Sequence, residues 1–255
     1  MALIKTSDVI TNFCKDKLSK GEKTVGIWSL MPSPSVVDVL SSASLDFIIF
    51  DMEHGAFDTK AVQDAILISH SRCSPIVRIP SINHVLIQRI LDTGAHGIVA
   101  PQIKSAADVE SYVRAFQFYP NGKRGFNPFT KAGEYAENAN SEYYGEAFPL
   151  VIGILENLDA YRDLDAILDV DGVDVWYLGI YDIACALGHA DDLQNEEVQK
   201  VMSDIRDRLA SKGKISGCMI DNIKGMYEKG ESFLVLKPDT YQLMTSLQSK
   251  LNCEE

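Results

Sequence analysis

The feature that most constrains the fold is a regular alternation of short apolar runs with amphipathic segments. The segments between the runs carry apolar residues at helical spacing, as in Val198, Val201, Ile205 and Leu209. A strand followed by a helix, repeated about eight times, is typical of a (β/α)8 TIM barrel. The apolar runs cover residues 24–30, 45–51, 75–79, 96–100, 149–155, 173–178, 215–220 and 233–236.

The same pattern predicts the domain organisation. A doubly wound open sheet is the main competing fold, but it usually has a glycine-rich turn after its first strand, and this chain has none there. We predict that residues 1–255 form a single barrel domain. Residues 1–22 would be an N-terminal helical extension that caps the barrel bottom or packs alongside it. Residues 119–148 form a long connection, which indicates a functional or interface role.

Charge and composition limit the partners and the compartment. The net charge is −12 and the pI is near 4.9, which disfavours nucleic acid and anionic membranes because both require a cationic surface. The five cysteines are scattered without a CxxC pair, and the N-terminus lacks the apolar core of a signal peptide. We therefore expect a cytoplasmic protein with a small-molecule substrate, and no membrane or nucleic-acid partner.

Polar residues close several of the predicted strands. In a barrel, the carboxyl ends of all strands meet at one mouth, although the residues are distant in sequence. These strand-end residues are Trp28, then Asp51, Glu53 and His54, then Arg78, Glu156 and Asp182.

The chemistry of this set favours a metal-assisted reaction. Glu156 and Asp182 are hard oxygen ligands that could hold Mg²⁺ or Mn²⁺ and leave positions open for a chelating substrate. Arg78 is a fixed cation suited to a carboxylate or an enolate oxygen. His54 is a proton carrier near neutral pH, and Asp51 could fix its tautomer. Together these groups could stabilise an enolate and move a proton next to a ketone.

Each residue also has a purely structural interpretation. The carboxylates could cap the helices that follow their strands, since acids suit a helix N-terminus. Arg78 could form a surface ion pair of little consequence. Trp28 could simply pack in the wall of the mouth, and Arg124 could anchor the long loop.

The ordered motifs resemble those of the HpcH/HpaI aldolases, the class II, metal-dependent 2-oxo-acid aldolases. The resemblance runs from about residue 25 to residue 247. It rests on Gly26-Ile27-Trp28, Asp51-Met52-Glu53-His54-Gly55, Ile76-Val77-Arg78, Leu91-Asp92-Thr93-Gly94-Ala95, Tyr119-Pro120 with Gly122-Lys123-Arg124-Gly125, Glu156, and Asp171-Gly172-Val173-Asp174 with Leu178-Gly179, Asp182-Ile183 and Leu187-Gly188.

The resemblance implies a function and a role for each site residue. It implies cleavage or formation of a carbon–carbon bond between pyruvate enolate and an aldehyde, as in a 4-hydroxy-2-oxo acid lyase. The metal, Mg²⁺ or Mn²⁺ with Co²⁺ or Zn²⁺ as alternatives, would bind Glu156 and Asp182. The catalytic residues would be His54, Asp51 and Arg78, and the base would be either hydroxide held by the metal or the His54–Asp51 pair acting through water. The substrate-binding residues would be Trp28, Arg78, Tyr181, Asp182 and Arg124.

The family also implies a homo-oligomer, a hexamer built as a trimer of dimers, in which Arg124 could reach a neighbouring site. Ile154, Ile180, Tyr181 and Lys237 depart from the usual pattern around the mouth, which leaves the aldehyde partner open. Two alternatives remain at this point. One is a related metal–enolate lyase, either a decarboxylase or a citrate-lyase-like enzyme. The other is a non-catalytic barrel that binds an oxo acid.

Overall fold

Eight parallel strands close into a barrel in the order of the sequence, which confirms the predicted fold. The structure is a computed structural model that describes residues 12–136, 149–222, 224 and 230–252. Each strand lies close to one of the predicted apolar runs. The strands are β1 Thr24–Ser29, β2 Phe47–Asp51, β3 Ser74–Arg78, β4 Gly97–Ala100, β5 Leu150–Leu155, β6 Val175–Leu178, β7 Ile215–Ile220 and β8 Phe233–Leu236.

Helices alternate with the strands and form the outer layer. Local sequence explains several helix starts: Pro34 occupies the first turn of the second helix, and Ser105 and Asp108 form a capping box at the fifth. The helices are α1 Phe13–Ser19, α2 Pro34–Ser41, α3 Thr59–Ser69, α4 His84–Asp92, α5 Ala106–Phe116, α6 Leu158–Arg162, α7 Leu164–Asp169, α8 Ile180–Ala186, α9 Glu196–Ser211 and α10 Asp239–Leu251.

Two apolar layers form the core, one on each side of the barrel wall. The outer layer lies between the strands and the helices. The inner layer fills the barrel with side chains such as Phe47, Ile152 and Phe233, while Trp28 and Tyr177 belong to the same layer nearer the carboxyl ends. Because both faces of the strands are buried, the strands appear in the sequence as continuous apolar runs rather than as alternating ones.

Helix α1 closes the amino end of the barrel, as one of the two sequence-based alternatives predicted. Cys14 and Leu18 pack into the inner layer, and the Cys14 N–H donates to Ser74 Oγ at 3.0 Å. The Asn12 side chain donates to the His96 carbonyl at 2.7 Å. The predicted extension begins earlier, but residues 1–11 lie outside the described residues.

Part of the long connection after α5 is also described. It contains a short 3-10 turn at Lys131–Ala136, and the Gly125 N–H donates to the Gln88 side chain of α4 at 2.9 Å. Residues 137–148 lie outside the described part of the chain. Within the described ranges, no helix is long and apolar enough to cross a bilayer.

Candidate active site

A cavity of about 280 Å³ opens at the carboxyl ends of the strands. It brings together six of the seven predicted strand-end residues, which come from five different strand–helix units. This is the end of a barrel at which chemistry is normally located. The lining includes the predicted residues Trp28, Asp51, His54, Arg78, Glu156, Tyr181 and Asp182, together with Leu30, Ile154, Tyr177, Leu178, Gly179, Ile180, Met219 and Pro238.

Glu156 presents a buried carboxyl group to this cavity. It follows β5 directly and is only 3% exposed. A Cβ on Gly179 would lie 2.5 Å from the Glu156 Cβ, so the close approach of α8 requires glycine at that position. The Gln102 N–H, on a residue with φ of 54°, donates to Glu156 Oε1 at 2.6 Å. Burial raises the pKa of Glu156 to about 7, against the effect of that hydrogen bond, and the negative charges of Asp182 and Glu53 add to the rise.

Asp182 lies in the first turn of α8, next to Tyr181, and both side chains are exposed at the mouth. The N–H groups of a first helical turn have no intrahelical acceptor, so the amides at Tyr181 and Asp182 are available to an anion. The negative charge of Asp182 contributes to the raised pKa of Glu156. Asp182 therefore lies close enough to Glu156 for its charge to affect the Glu156 carboxyl group.

The residues present fit a divalent cation. The buried Glu156 carboxyl lies beside other carboxylates, so a cation there would favour its ionised form. Carboxylate oxygens are the ligands that Mg²⁺ and Mn²⁺ prefer. Among the described residues no three His, Cys, Asp or Glu side chains form a complete ligand set. A metal held by Glu156 and Asp182 would thus keep positions open for water and substrate.

The Asp51 carboxylate pairs with the Arg78 guanidinium, and the expectation that Asp51 orients the His54 imidazole stays a prediction. Asp51 Oδ1 accepts from Arg78 Nε at 2.9 Å, and Oδ2 accepts from the other arm of the guanidinium. The physical reason is the register, because Asp51 and Arg78 are paired residues on β2 and β3. Asp51 also accepts from the backbone N–H of Glu53 at 2.9 Å and of His54 at 3.2 Å.

Glu53, rather than Asp51, is the carboxylate near the His54 ring. Its Oε2 lies 3.8 Å from His54 Nε2 and 3.2 Å from Arg78 NH1. Burial raises the pKa of Glu53, while the positive charges of Arg78 and His54 oppose the rise. The His54 side chain is 66% exposed, so it stands at the mouth of the cavity, where it can exchange protons with solvent.

Trp28 and Tyr177 pack together in the cavity lining, an arrangement that sequence reasoning recovered only in part. The rings pack edge to face with centroids 5.5 Å apart. The Trp28 face also lies 4.5 Å from the Arg78 guanidinium carbon, a cation–π contact that supports the position of Arg78. Tyr177 and Met219 were not predicted as site residues. Both lie within apolar runs that form β6 and β7. The sequence alone does not show whether a side chain in such a run points into the cavity.

In this chain, Arg124 and Lys237 contact residues outside the cavity. Arg124 NH2 donates to Asp92 Oδ1 at 3.1 Å, and its guanidinium lies over Phe118. Lys237 Nζ lies 2.7 Å from Asp221 Oδ1 and close to Tyr241. Neither residue is among the cavity-lining residues, although Pro238, next to Lys237, is. These contacts favour loop anchoring for Arg124 within its own chain.

Comparison with known proteins identifies the family and agrees with the fold. The model of the HpcH/HpaI aldolase/citrate lyase family matches residues 24–244, nearly the whole chain. The chain belongs to this family. The predicted family is therefore confirmed, and with it the expectation of a carbon–carbon lyase.

Individual relatives of the family share most of their length with this chain. A hydroxypyruvate/pyruvate aldolase from Pseudomonas aeruginosa is 30% identical, covering 94% of this chain and 92% of the relative. A 5-keto-4-deoxy-D-glucarate aldolase from Enterobacter sp. strain 638 is 28% identical, covering 92% and 93%. The crystal structure of an HpcH/HpaI aldolase from Desulfitobacterium hafniense DCB-2 is 27% identical, with a TM-score of 0.87 over 94% of this chain and 96% of that one.

Proposed function

We propose that this chain is a divalent-metal-dependent aldolase that joins pyruvate enolate to an aldehyde, or cleaves the resulting 4-hydroxy-2-oxo acid. The metal would be Mg²⁺ or Mn²⁺, with Co²⁺ or Zn²⁺ as alternatives. The observation that carries the proposal is the buried Glu156 carboxyl, which lines the same cavity as Asp182 and the fixed Arg78 cation. Family membership and the aldolase-named relatives support the reaction class.

Glu156 and Asp182 would hold the metal, which when bound supplies positive charge for the oxygens of the oxo acid. Arg78 would donate to the keto or enolate oxygen. Its guanidinium is well suited to this task because Asp51 and Glu53 fix it from one side and the Trp28 face supports it. A preorganised cation does not have to reorient as negative charge develops on the oxygen.

Proton movement is proposed for His54. In the cleavage direction, the C4 hydroxyl loses its proton, the C3–C4 bond breaks, and an aldehyde leaves through the mouth. The electron pair stays on the pyruvate half as an enolate, and protonation at C3 gives pyruvate. His54 is exposed at the mouth, so it can exchange protons with the C4 hydroxyl through water.

The assembly and the compartment complete the proposal. The family resemblance implies a hexamer of this chain. Apolar side chains exposed along α10, Leu243, Met244, Leu247 and Leu251, support contact between copies. Light scattering of the purified protein measures the mass of the assembly directly.

The compartment proposed for the chain is the cytoplasm. The described cysteines are all free, which supports a reducing environment.

The test is a cleavage and condensation assay after metal removal. We expect EDTA to abolish aldehyde-dependent turnover and added Mg²⁺ or Mn²⁺ to restore it. Borohydride added with pyruvate should leave no covalent adduct, since the proposal involves no Schiff base. Turnover that survives exhaustive metal removal would contradict the proposal. Acyl products in place of pyruvate and an aldehyde would favour the citrate-lyase branch of the same family.

A further inference from the structure

Tyr177 places a polar group on the otherwise apolar floor of the cavity. Its side chain belongs to the inner core layer of the barrel, and the residue is only 5% exposed. Ile154 and Met219 lie on the same floor. The charged residues of the site stand above it, where the strands end.

The hydroxyl group of Tyr177 has one donor partner and a proton to give. It accepts a hydrogen bond from Trp28 Nε1 at 3.3 Å. Among the described residues, no acceptor is found for its own proton. A buried hydroxyl usually donates as well as accepts, because an unused donor loses its bond to water without replacement. Tyr177 is one of the residues that line the cavity, so a ligand there can supply the missing acceptor.

The surroundings indicate which part of a ligand reaches this group. The carboxylate and keto oxygens of an oxo acid would face the Arg78 cation and the metal-binding carboxylates, which rests on the proposed function. An aldehyde must enter and leave through the mouth, where the exposed side chains of His54 and Tyr181 line the cavity. The floor then remains for the substituent that C3 of the nucleophile carries.

We propose that Tyr177 is a specificity-determining residue whose hydroxyl donates a hydrogen bond to an oxygen on C3 of the nucleophilic oxo acid. The site therefore favours a 3-hydroxy-2-oxo acid over one whose C3 is a methyl group. The Tyr177 ring cannot easily turn away, because it is buried and packs edge to face on Trp28. With a methyl group in the same place, the donor stays unsatisfied.

The test compares hydroxypyruvate with pyruvate in the wild type and in Tyr177→Phe, which keeps the ring and removes the hydroxyl. Titration calorimetry in Mg²⁺ buffer gives the ratio of the two dissociation constants. We expect the preference for hydroxypyruvate to fall about 5- to 10-fold in Tyr177→Phe, the loss of one neutral hydrogen bond. The ratio of kcat/KM values with a common aldehyde should fall by a similar factor.

The ratio of the two dissociation constants distinguishes a role of Tyr177 in specificity from a role in packing. If Tyr177 only supports Trp28, the variant weakens both oxo acids equally and the ratio stays unchanged, which would overturn the inference. Tyr241→Phe is the matched control, since that hydroxyl lies near Lys237 on the rim and outside the cavity lining. If the wild type turns over neither donor, the proposed function fails, while the binding ratio still decides the role of Tyr177.

Discussion

The two ends of the barrel differ in how their acidic and hydroxyl groups are paired. At the amino end, Asp46 accepts from the Val25 N–H at 2.9 Å and from Lys17 at 2.7 Å. Asp174 repeats the arrangement and accepts from the Val151 N–H at 2.8 Å. At the carboxyl end, Glu156 lies among other carboxylates, and the cavity-lining Tyr177 has no acceptor for its hydroxyl proton among the described residues.

This difference between the two ends shows which polar groups stabilise the barrel and which are available for function. The aspartates of the amino end each precede a strand and bind the backbone of the neighbouring strand, so they hold the barrel closed. At the carboxyl end, Glu156 and Tyr177 keep unmet electrostatic or hydrogen-bonding capacity, which costs folding free energy but is available to a ligand. If this contrast is correct, substitutions at the amino end should lower stability but not activity. Substitutions at the carboxyl end should lower activity but not stability.

The largest effect is expected for Glu156→Gln. Activity with saturating Mg²⁺ should fall about 10³-fold, because the transition state loses several kcal/mol of charge stabilisation. The metal-free variant should nevertheless be more stable than the wild type at pH 8, by roughly 1 to 3 kcal/mol. Steady-state kinetics and urea unfolding measure the two changes.

The sign follows from the direction of the pKa shift. The folded state raises the pKa of Glu156 from 4.5 to about 7. Its contribution to stability is therefore complete below pH 4.5 and is lost as the pH rises through about 7. The gain from Glu156→Gln should vanish at pH 4.5. A variant less stable than the wild type at pH 8 would contradict the contrast between the two ends.

A smaller effect on catalysis is expected for His54→Asn. Removing the exposed proton carrier should lower kcat about 10²-fold and leave the affinity for pyruvate nearly unchanged. His189→Asn is a suitable control, because that ring lies beside Glu197 at the surface and outside the cavity lining. A kcat within threefold of the wild type would remove His54 from the proton-transfer step.

At the amino end, His96 should affect only stability. Burial lowers the pKa of His96 to about 4, and the nearby His70 and Lys131 lower it further. A depressed histidine pKa favours the native state above the unfolded value of 6.5, and this contribution is lost as the pH falls through about 4. The wild type should lose stability as the pH falls from 6.5 to about 4. In His96→Gln that loss should be smaller by roughly 2 kcal/mol. His84→Gln, near Ser111, tests whether any histidine has the same effect.

The smallest effect is expected for Asp46→Asn. It weakens one charge-assisted bond to Lys17 and keeps an acceptor for Val25, so unfolding should become easier by about 1 kcal/mol. Because Asp46 is far from the mouth, kcat should stay within twofold of the wild type. Asp64→Asn, which affects only an exposed pair with Lys60, should change stability by less than about 0.5 kcal/mol. A large loss of kcat in Asp46→Asn would show that the two ends are coupled.

The sequence predicted the features that depend on strand order and periodicity. Eight apolar runs were enough for the barrel, because each strand is buried on both faces. The same order placed Arg78, Glu156 and Asp182 at one mouth. The cavity contains all three residues.

Side-chain pairing was less predictable, because it depends on register and on side-chain direction. Asp51 pairs with Arg78 through the β2–β3 register, which no sequence motif displays. Glu53 was named only as a strand-end residue, yet it is the carboxylate near the His54 ring. Tyr177 went unnoticed because a tyrosine within an apolar run gives no indication of whether its hydroxyl meets a cavity.

Proton exchange at C3 of pyruvate tests the central claim most directly, since it requires only the carboxyl-end site and no aldehyde. In D₂O, NMR should show loss of the pyruvate methyl signal with wild-type protein and Mg²⁺. The exchange should stop with EDTA, return when Mg²⁺ is added back, and be absent in Glu156→Gln. Exchange at an undiminished rate without metal, or in Glu156→Gln, would contradict the account.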